Sequence, residues 1–190
     1  MSLIQETLKN EDIEIDNKSA KKLYLFCELL RSWNKTHSLT TLKTDEDFAE
    51  AVLDSVYPIK FLDKFQSALD IGSGAGLPAL PLAIITKDAH FTLCEPLSKK
   101  YAFLQYAKAS LELENVTVLK NRVEEISGNF DLISSRAVAK SDLLVSLSEH
   151  LLIQGGNWLF YKGEDSANEI EGENVKVFRR DKRKYILIRK

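Results

Sequence analysis

The sequence predicts an α/β fold in which a mostly parallel, seven-stranded sheet ends in an antiparallel hairpin and follows a helical N-terminal extension. Up to residue 66, apolar residues recur with helical spacing and no segment resembles a strand. From residue 67 onward, short apolar runs alternate with helical stretches, which is typical of a parallel sheet covered by helices. The last two apolar runs are too close together for a crossover, so they predict a hairpin. We therefore divide the chain into a helical extension, residues 1–66, and a core, residues 67–190.

Two helices are predicted in the extension. The first covers residues 18–33, and the second begins near Thr44, where Asp47 completes a capping box, and ends at a turn near Pro58. The first helix carries one apolar stripe, formed by Leu23, Phe26, Cys27 and Leu30. The predicted strands cover residues 68–71, 90–94, 116–119, 130–134, 157–161, 174–180 and 185–189. Helices near residues 78–86, 98–113 and 142–151 connect the earlier strands and predict right-handed βαβ units.

Length and composition are those of an ordinary soluble globular protein. The 190 residues suffice for one buried core, and 44% are apolar while 28% are charged. The sequence has no run of about 18 apolar residues that would span a membrane, and residues 1–16 do not resemble a secretory signal. Cys27 and Cys94 are isolated among apolar neighbours, which predicts reduced, buried thiols and no metal site. We therefore expect a cytoplasmic protein.

A glycine-rich turn after the first predicted strand is the most informative motif. Asp70 lies in the strand, and Gly72, Gly74 and Gly76 occupy alternate positions before the helix that begins near residue 78. Glycine permits positive φ angles and lets a ligand approach the backbone where a Cβ would collide. The new helix also presents free N–H groups to the crevice. The turn therefore predicts a Rossmann-like nucleotide site.

The spacing of the glycines and the acid before them favour one class of ligand. Dinucleotide oxidoreductases use G-x-G-x-x-G and need space for a pyrophosphate, whereas the turn here reads G-x-G-x-G. Asp70 is poorly suited to a phosphate neighbour but well suited to the ammonium of a methionine group. The pattern acid-x-G-x-G-x-G also resembles the first motif of Rossmann-like methyltransferases. The resemblance implies S-adenosylmethionine as the cofactor and a class I methyltransferase core, with NAD as the weaker alternative.

The ends of the next three strands supply further candidate ligands. Glu95 follows the second strand and could accept both ribose hydroxyls of a nucleoside, or be a solvated loop acid. After the third strand, Val123 could pack on the adenine and Glu124 could line the pocket, although a polar helix start would explain both. Arg136 follows the fourth strand and could orient an electron-rich base or a phosphate, or be a surface residue.

Two motifs of other nucleic-acid methyltransferases are absent after the fourth strand. Enzymes that methylate exocyclic amines place Asn/Asp-Pro-Pro-aromatic there, and carbon-5 methylation needs a cysteine nucleophile, but residues 133–137 contain neither. A ring nitrogen with a free lone pair requires neither device. Methylation of a ring nitrogen is therefore the reaction that the motif pattern favours.

The charge of the chain is unevenly distributed. The formal net charge is −2, yet residues 176–190 contain a single acid, Asp181. The basic residues of this segment are Lys176, Arg179, Arg180, Lys182, Arg183, Lys184, Arg189 and Lys190. The segment could bind RNA phosphates, or it could be a pair of strands with charged, solvated faces.

Several motifs occur in one order between residues 20 and 164. They are Trp33-Asn34-Lys35 with Leu39-Thr40, Leu53-Asp54-Ser55, the glycine turn from Asp70 to Pro78, Arg122-Val123-Glu124-Glu125, Ser135-Arg136-Ala137 and Tyr161-Lys162-Gly163. This combination resembles the RsmG methyltransferases, also named glucose-inhibited division protein B. The resemblance implies methylation of N7 of guanine 527, in the 530 loop of 16S rRNA, with S-adenosylmethionine as the methyl donor.

The resemblance also implies roles for single residues. Cofactor contacts are implied for Gly72, Leu77, Val123, Glu124 and Arg136, and proximity to the RNA for Arg122. Ser38 and Glu50-Ala51 depart from the residues usual in the family. The candidate cofactor ligands are thus Asp70, Gly72, Gly74, Gly76, Leu77, Glu95, Val123, Glu124 and Arg136, and the candidate catalytic residues are Arg136 and Arg122.

Two other functions remain open from the residues alone. One is a methyltransferase for a small molecule or a protein, and the other is a non-catalytic RNA-binding factor on the same scaffold. We expect 16S rRNA or the small ribosomal subunit as the partner, no membrane contact, and a monomer.

Overall fold

The computed structural model describes residues 2–136, 140–164 and 172–190, and within these ranges it contains one seven-stranded sheet. The strands are β1 (Ser67–Ile71), β2 (His90–Cys94), β3 (Val116–Leu119), β4 (Phe130–Arg136), β5 (Leu152–Gly163), β6 (Val175–Arg180) and β7 (Arg183–Arg189). Their order is β3-β2-β1-β4-β5-β7-β6. Strands β1 to β5 pair in parallel, whereas β7 lies antiparallel to both β5 and β6. The predicted fold class, including the C-terminal hairpin, is confirmed.

The helices of the described ranges lie in the extension and between the strands. They are α1 (Leu3–Asn10), α2 (Asn17–His37), α3 (Asp45–Val56), α4 (Ala79–Ile85), α5 (Ser98–Ser110) and α6 (Ser141–Ser148), with single 3₁₀ turns at Tyr57–Lys60, Val123–Glu125 and Glu149–Leu151. The capping box predicted for α3 is present, because Thr44 Oγ1 accepts a hydrogen bond from the amide of Asp47 at 3.1 Å. A 3₁₀ turn occurs at Pro58, where the chain was predicted to turn.

Several elements differ from their predicted bounds. The sequence prediction lacks α1, because residues 1–16 are mostly polar, although Ile4 and Leu8 are buried and Ser2 caps the helix. Helix α2 continues to His37, and β4 continues to Arg136, beyond their predicted ends. Strand β5 begins before its predicted start, since a register shift in β4 allows an additional pair between the two strands.

Helices bury both faces of the sheet. On one face, the extension packs with α4 and α5 in a cluster that includes Phe26, Leu30, Leu80 and Tyr185. Burying a side chain such as Leu30 stabilises the fold by about 1.5–3 kcal/mol. On the other face, α6 covers a second cluster that includes Trp158. The first cluster joins the extension to the sheet, and the boundary between residues 66 and 67 stays a prediction.

The parallel strands give the sheet an amino edge, where β1 to β5 begin, and a carboxyl edge, where they end. In doubly wound sheets, ligands bind outside the carboxyl ends of the strands. The glycine turn follows β1 at this edge, and Arg136 ends β4 there. A cavity of about 550 Å³, lined by residues that include Phe65, Gln66 and Asp88, lies at the opposite, amino edge.

Candidate active site

The glycine turn has the backbone conformation that its composition predicts. Gly72, Gly74 and Gly76 have φ angles of 68°, 54° and 80°, a region that residues with a Cβ rarely adopt. The turn is tied to β2, because the amides of Gly72 and Ser73 both donate to the carbonyl of Cys94, at 2.9 and 3.2 Å. Its shape is therefore set by the pairing of two neighbouring strands.

The glycines of the turn meet different surroundings. A Cβ added to Gly76 would lie 2.6 Å from Leu80 Cδ1, so this glycine is required for packing against α4. A Cβ added to Gly74 would lie 3.7 Å from the Gly72 carbonyl and 3.9 Å from Lys100 Nζ, which are ordinary contacts. The space over Gly74 is thus free for a ligand. The side chain of Leu77 is buried in the core, so contact between this residue and a ligand would fall to its backbone.

Asp70 places a carboxylate with one free oxygen beneath this turn. The residue is 1% exposed, and Ser134 Oγ donates a hydrogen bond of 2.6 Å to Oδ1. Among the described residues, Oδ2 has no hydrogen-bond partner. Burial raises the pKa of Asp70 to about 6, against the opposing effect of the hydrogen bond from Ser134. A buried, partnerless carboxylate oxygen is unfavourable unless a ligand completes it, and a cationic ammonium group would do so.

Glu95 connects the glycine turn to the segment after β2. Its side chain is buried, Oε2 accepts from the amide of Gly74 at 2.9 Å, and Oε1 accepts from the amide of Leu97 at 2.9 Å. The solvated loop acid considered from the sequence is therefore not what the structure contains. Each carboxylate oxygen can accept a second hydrogen bond, so Glu95 retains the capacity to bind ribose hydroxyls.

The residues at the 3₁₀ turn after β3 differ in their exposure to solvent. Val123 is buried and belongs to the same cluster as Ile71 and Cys94, the last residues of β1 and β2. Arg122 and Glu124 are exposed. The structure thus brings Val123 to the wall of the crevice, whereas the side chains of Arg122 and Glu124 face solvent at its rim.

Arg136 is held by a buried carboxylate that the sequence analysis did not assign to the site. Asp54, on α3, is 1% exposed at its side chain, and its Oδ2 lies 3.4 Å from Arg136 Nη1 and 3.3 Å from Arg183 Nε. Tyr185 donates a hydrogen bond of 3.0 Å to Oδ1. The sequence signal for Asp54 is an acid between the apolar residues Leu53 and Val56 of one helix. Ala137, next to Arg136 in the family motif, lies outside the described residues.

The basic C-terminal segment is partly engaged within the protein. Arg180 is buried and forms ion pairs with Glu50 and Asp181. Burial alone would lower the pKa of Arg180, but hydrogen bonds with Glu50 and Tyr185 raise it. Arg183 contacts Asp54, and Lys190 Nζ donates to the carbonyls of Glu149 and Leu152. Part of the segment is thus internal to the fold, which neither sequence interpretation anticipated.

Stacked aromatic rings join the extension to the C-terminal hairpin beside the buried ion pairs. The rings of Phe61 and Phe178 stack with centroids 3.8 Å apart, and those of Tyr57 and Tyr185 stack at 5.4 Å. The extension is therefore attached directly to β6 and β7.

The residues at the carboxyl edge fit S-adenosylmethionine. The free oxygen of Asp70 can bind an ammonium group, the open face of Gly74 admits a ligand against the backbone, and Glu95 retains lone pairs for hydroxyls. Within the described residues, no group of three or more His, Cys, Asp and Glu side chains is placed to hold a metal ion. None of the described helices combines the length and apolar character that a membrane span requires.

Residues 19–188 match the sequence profile of the GidB family, described as rRNA small subunit methyltransferase G. The chain belongs to this family. It is 37% identical over 191 residues to the Ribosomal RNA small subunit methyltransferase G of Aliarcobacter butzleri, with 98% of each chain covered. The protein of the same name from Wolinella succinogenes is 41% identical over 174 residues, which cover 91% of this chain and 90% of the relative.

Solved structures agree with the fold of this rRNA small subunit methyltransferase G family member. A methyltransferase from Geobacter sulfurreducens superimposes with a TM-score of 0.63 over 86% of this chain and 87% of the other, at 9% identity. At 9% sequence identity, this structural similarity shows only that the two proteins share a fold. Family membership confirms the resemblance stated from the sequence. It also confirms that the protein is a methyltransferase and that its cofactor is S-adenosylmethionine.

Gly74→Ala is expected to weaken S-adenosylmethionine binding at least tenfold, because the new Cβ occupies the space that admits the ligand. Gly155→Ala is the matched control, since Gly155 also has a positive φ, of 77°, and an added Cβ would make only an ordinary contact, 3.8 Å from Arg189 Nη2, but Gly155 lies in the amino-proximal part of β5. Both variants carry a similar left-handed strain of about 1–2 kcal/mol. Calorimetric titration should show lost affinity for Gly74→Ala alone. Equal affinities in the two variants would place the ligand elsewhere.

Proposed function

We propose that the chain transfers the methyl group of S-adenosylmethionine to N7 of a guanine in 16S rRNA, guanine 527 of the 530 loop. Family membership supports small-subunit rRNA as the substrate. The observation that carries the proposal is the carboxyl edge itself, where a cradle for the cofactor adjoins Arg136 and lacks, among the described residues, a histidine or an ionised thiol. A ring nitrogen is the nucleophile that needs neither.

The cofactor supplies an electrophilic methyl group on a sulfonium, and the chain binds and orients it. We assign the ammonium group to Asp70 and the ribose to Glu95, from their burial and their remaining hydrogen-bonding capacity. Val123 would pack on the adenine, and Glu124 would line the same pocket from its rim. Gly72, Gly74, Gly76 and Leu77 would contribute backbone surface.

Arg136 and Arg122 are assigned different tasks. Arg136 cannot form the usual bidentate contact with guanine O6 and N7, because that contact would cover the nucleophile. Asp54 occupies one side of its guanidinium, which leaves donors for the cofactor, for a phosphate or for O6 alone. Arg122 is exposed after β3 and is better placed for a backbone phosphate. Arg136 would thus align the base with the methyl group.

The placement of the histidines and of Cys94 argues against base or thiolate catalysis. His90 begins β2 and His150 precedes β5, so both lie at the amino edge, and His37 ends α2 in contact with Trp33. Cys94 is next to the glycine turn, but burial raises the pKa of its thiol to about 12, so it remains protonated at neutral pH. Guanine N7 carries an unshared lone pair and loses no proton before it attacks.

The rate of methyl transfer in a single turnover, with both substrates saturating, is expected to vary little between about pH 6.5 and 8.5. No described group at the carboxyl edge has to lose a proton in this range. The measurement uses tritiated S-adenosylmethionine with unmethylated small subunits, and nuclease digestion should release 7-methylguanosine as the labelled product. A tenfold rise in rate per pH unit would show that a base is required.

Parallel reactions test the substrate. Free 16S rRNA and a pool of cell metabolites and proteins are incubated under the same conditions. Label in the metabolites or proteins, with none in rRNA, would contradict the proposed substrate. We also propose that the enzyme is a cytoplasmic monomer, which sedimentation of the purified protein and fractionation of cells would test.

A further inference from the structure

Asp70 and Arg136 project from the same face of the sheet at its carboxyl edge. Asp70 of β1 is paired with Ser134 of β4, and its carboxylate accepts the hydrogen bond from the Ser134 hydroxyl. Side chains two residues apart in a strand point to the same face, so Arg136 lies on the face of Asp70, one position beyond this pair. Ala68 and Leu132, two residues before Asp70 and Ser134, belong to the cluster that includes residues of α3. The acid and the cation therefore share the face that α3 covers.

The free oxygen of Asp70 is unexpected beside a guanidinium. Charged side chains are rarely buried without a partner, because an unpaired buried charge is costly. Burial raises the pKa of Asp70 to about 6, and the positive charge of Arg136 opposes this rise. Among the described residues, however, no donor is bonded to Oδ2 of Asp70. Another interaction must therefore keep the guanidinium of Arg136 from turning to Asp70.

Asp54 supplies a competing carboxylate on the other side of Arg136. Arg136 lies opposite Tyr161 of β5, and Tyr161 lies opposite Tyr185 of β7. Asp54 contacts both ends of this row, because its Oδ2 lies 3.4 Å from Arg136 Nη1 and its Oδ1 accepts the hydrogen bond of 3.0 Å from Tyr185. Since β1 lies on the opposite side of β4 from β5 and β7, Asp54 draws the guanidinium away from Asp70.

The position of Asp54 is fixed by α3 and by contacts other than Arg136. Val52 and Val56 of this helix are fully buried, and Tyr161 donates a hydrogen bond of 2.8 Å to the carbonyl of Ser55. Arg183 Nε lies 3.3 Å from the same oxygen of Asp54 that faces Arg136. The carboxylate would thus stay in place without Arg136, so Arg136 depends on Asp54 for its orientation.

We propose that Asp54 is a positioning residue that holds Arg136 toward β5 and thereby leaves Asp70 free for the ammonium group of S-adenosylmethionine. The inference rests on the proposed function, in which Asp70 binds that ammonium group. The two buried carboxylates then have separate cations, Arg136 for Asp54 and the cofactor for Asp70. Without the charge of Asp54, Arg136 would pair with Asp70 and compete with the cofactor.

Asp54→Asn is expected to weaken S-adenosylmethionine binding roughly tenfold or more, because the apparent affinity falls with the fraction of molecules in which Asp70 is free. The asparagine keeps the shape of the side chain. Glu50→Gln is the matched control, since Glu50 lies on the same helix and pairs with Arg180 of β6, not with Arg136. Calorimetric titration should show lost affinity for Asp54→Asn alone. Wild-type affinity in Asp54→Asn, or an equal loss in Glu50→Gln, would overturn the proposal.

The melting temperature gives a second measurement, which a purely structural role of Asp54 would not affect in the same way. In the wild-type background, Asp70→Asn should raise the melting temperature of the ligand-free protein, because it removes an unpaired buried charge. In the Asp54→Asn background it should lower the melting temperature, because it removes one partner of a new pair between Asp70 and Arg136. The Glu50→Gln background should keep the wild-type sign. The same sign in all three backgrounds would contradict the positioning role.

If Asp54→Asn does not fold, the pH dependence of cofactor binding by the wild type replaces it. With Arg136 held by Asp54, Asp70 titrates near pH 6, so the affinity for S-adenosylmethionine should fall about tenfold between pH 7 and pH 5 as the carboxylate gains a proton. Asp70→Asn is the control, because it retains Glu95, the other acid that acts on Asp70. A wild-type affinity that is constant over this range, or an equal fall in the control, would mean that Asp70 is not a free carboxylate and would overturn the proposal.

Failure of this inference and failure of the proposed function give different results. If Asp70→Asn binds S-adenosylmethionine as the wild type does, the ammonium group is wrongly assigned and the proposed function loses that part. If Asp70→Asn loses affinity while Asp54→Asn keeps it, only the positioning role of Asp54 fails.

Discussion

Asp70→Asn is expected to stabilise the ligand-free protein while it removes most of the affinity for S-adenosylmethionine, roughly 100-fold. Burial raises the pKa of Asp70 from 3.8 to about 6, so keeping this carboxyl ionised at pH 7 costs on the order of 3 kcal/mol. The neutral amide avoids this cost but leaves a buried donor without an acceptor, which costs about 1–3 kcal/mol. The net gain should be up to about 2 kcal/mol, or roughly up to 8 °C in melting temperature. The loss of affinity follows because an amide cannot pair with an ammonium group as a carboxylate does.

The pH dependence of this gain has a definite sign. The folded-state pKa of Asp70 lies above its unfolded value, so the cost of ionisation is fully present above pH 6 and disappears as the pH falls toward 4. The advantage of Asp70→Asn over the wild type should therefore shrink on acidification, as thermal melts between pH 7 and pH 4 can show. A gain that is constant across this range would mean that Asp70 does not titrate near pH 6.

Asp131→Asn is the matched control at the other end of the sheet. Burial alone would raise the pKa of Asp131, but the amides of Gln66 and Ser67, which donate to its Oδ2 at 2.8 Å, lower it overall. The same substitution should therefore destabilise the protein here, and its cofactor affinity should not change. If Asp131→Asn stabilised the protein as Asp70→Asn does, the electrostatic explanation given for Asp70 would be contradicted.

Asp54→Ala is expected to destabilise the protein by about 2–4 kcal/mol. It leaves Arg136 and Arg183 without their carboxylate and the hydroxyl of Tyr185 without its acceptor, and removing one partner of a buried ion pair is costly. We place the value below the upper range for such pairs because Arg183 is 41% exposed and Arg136 is 20% exposed. Urea unfolding followed by circular dichroism measures the change.

Glu28→Ala provides the comparison for Asp54→Ala. Glu28 pairs with Arg31 on the surface of α2, where both side chains are more than a third exposed, and such pairs contribute little. This variant should lie within about 0.5 kcal/mol of the wild type. If Asp54→Ala cost no more than Glu28→Ala, the buried cluster would not stabilise the junction between the extension and the sheet.

The sequence predicted the features that depend on local periodicity and on single motifs. The hairpin of β6 and β7 followed from the short charged connection between two apolar runs, and the glycine turn from residues that tolerate positive φ. The missing helix, α1, has a short and mostly polar sequence in which Ile4 and Leu8 carry the apolar face. The apolar pattern of this short segment was too weak to predict a helix, because the helix depends on packing against α2 and α3.

The candidate site was predictable in its residues but not in their contacts. The sequence indicated Asp70 and Glu95, yet the free oxygen of Asp70 and the backbone amides bound by Glu95 depend on how three strands meet. The basic segment shows the same limit. Whether Arg183 or Lys184 faces Asp54 is decided by strand register, and a shift of one residue would exchange the two faces.

The junction between the extension and the C-terminal hairpin has a consequence for synthesis on the ribosome. Asp54 and its partner Tyr185 are 131 residues apart in the chain, and Glu50 and Arg180 are 130 apart. Because a nascent chain emerges from its N-terminus, α3 is made long before Tyr185 and Arg180, which bind its acids Asp54 and Glu50. The contacts between the extension and the hairpin can therefore form only when translation is almost complete.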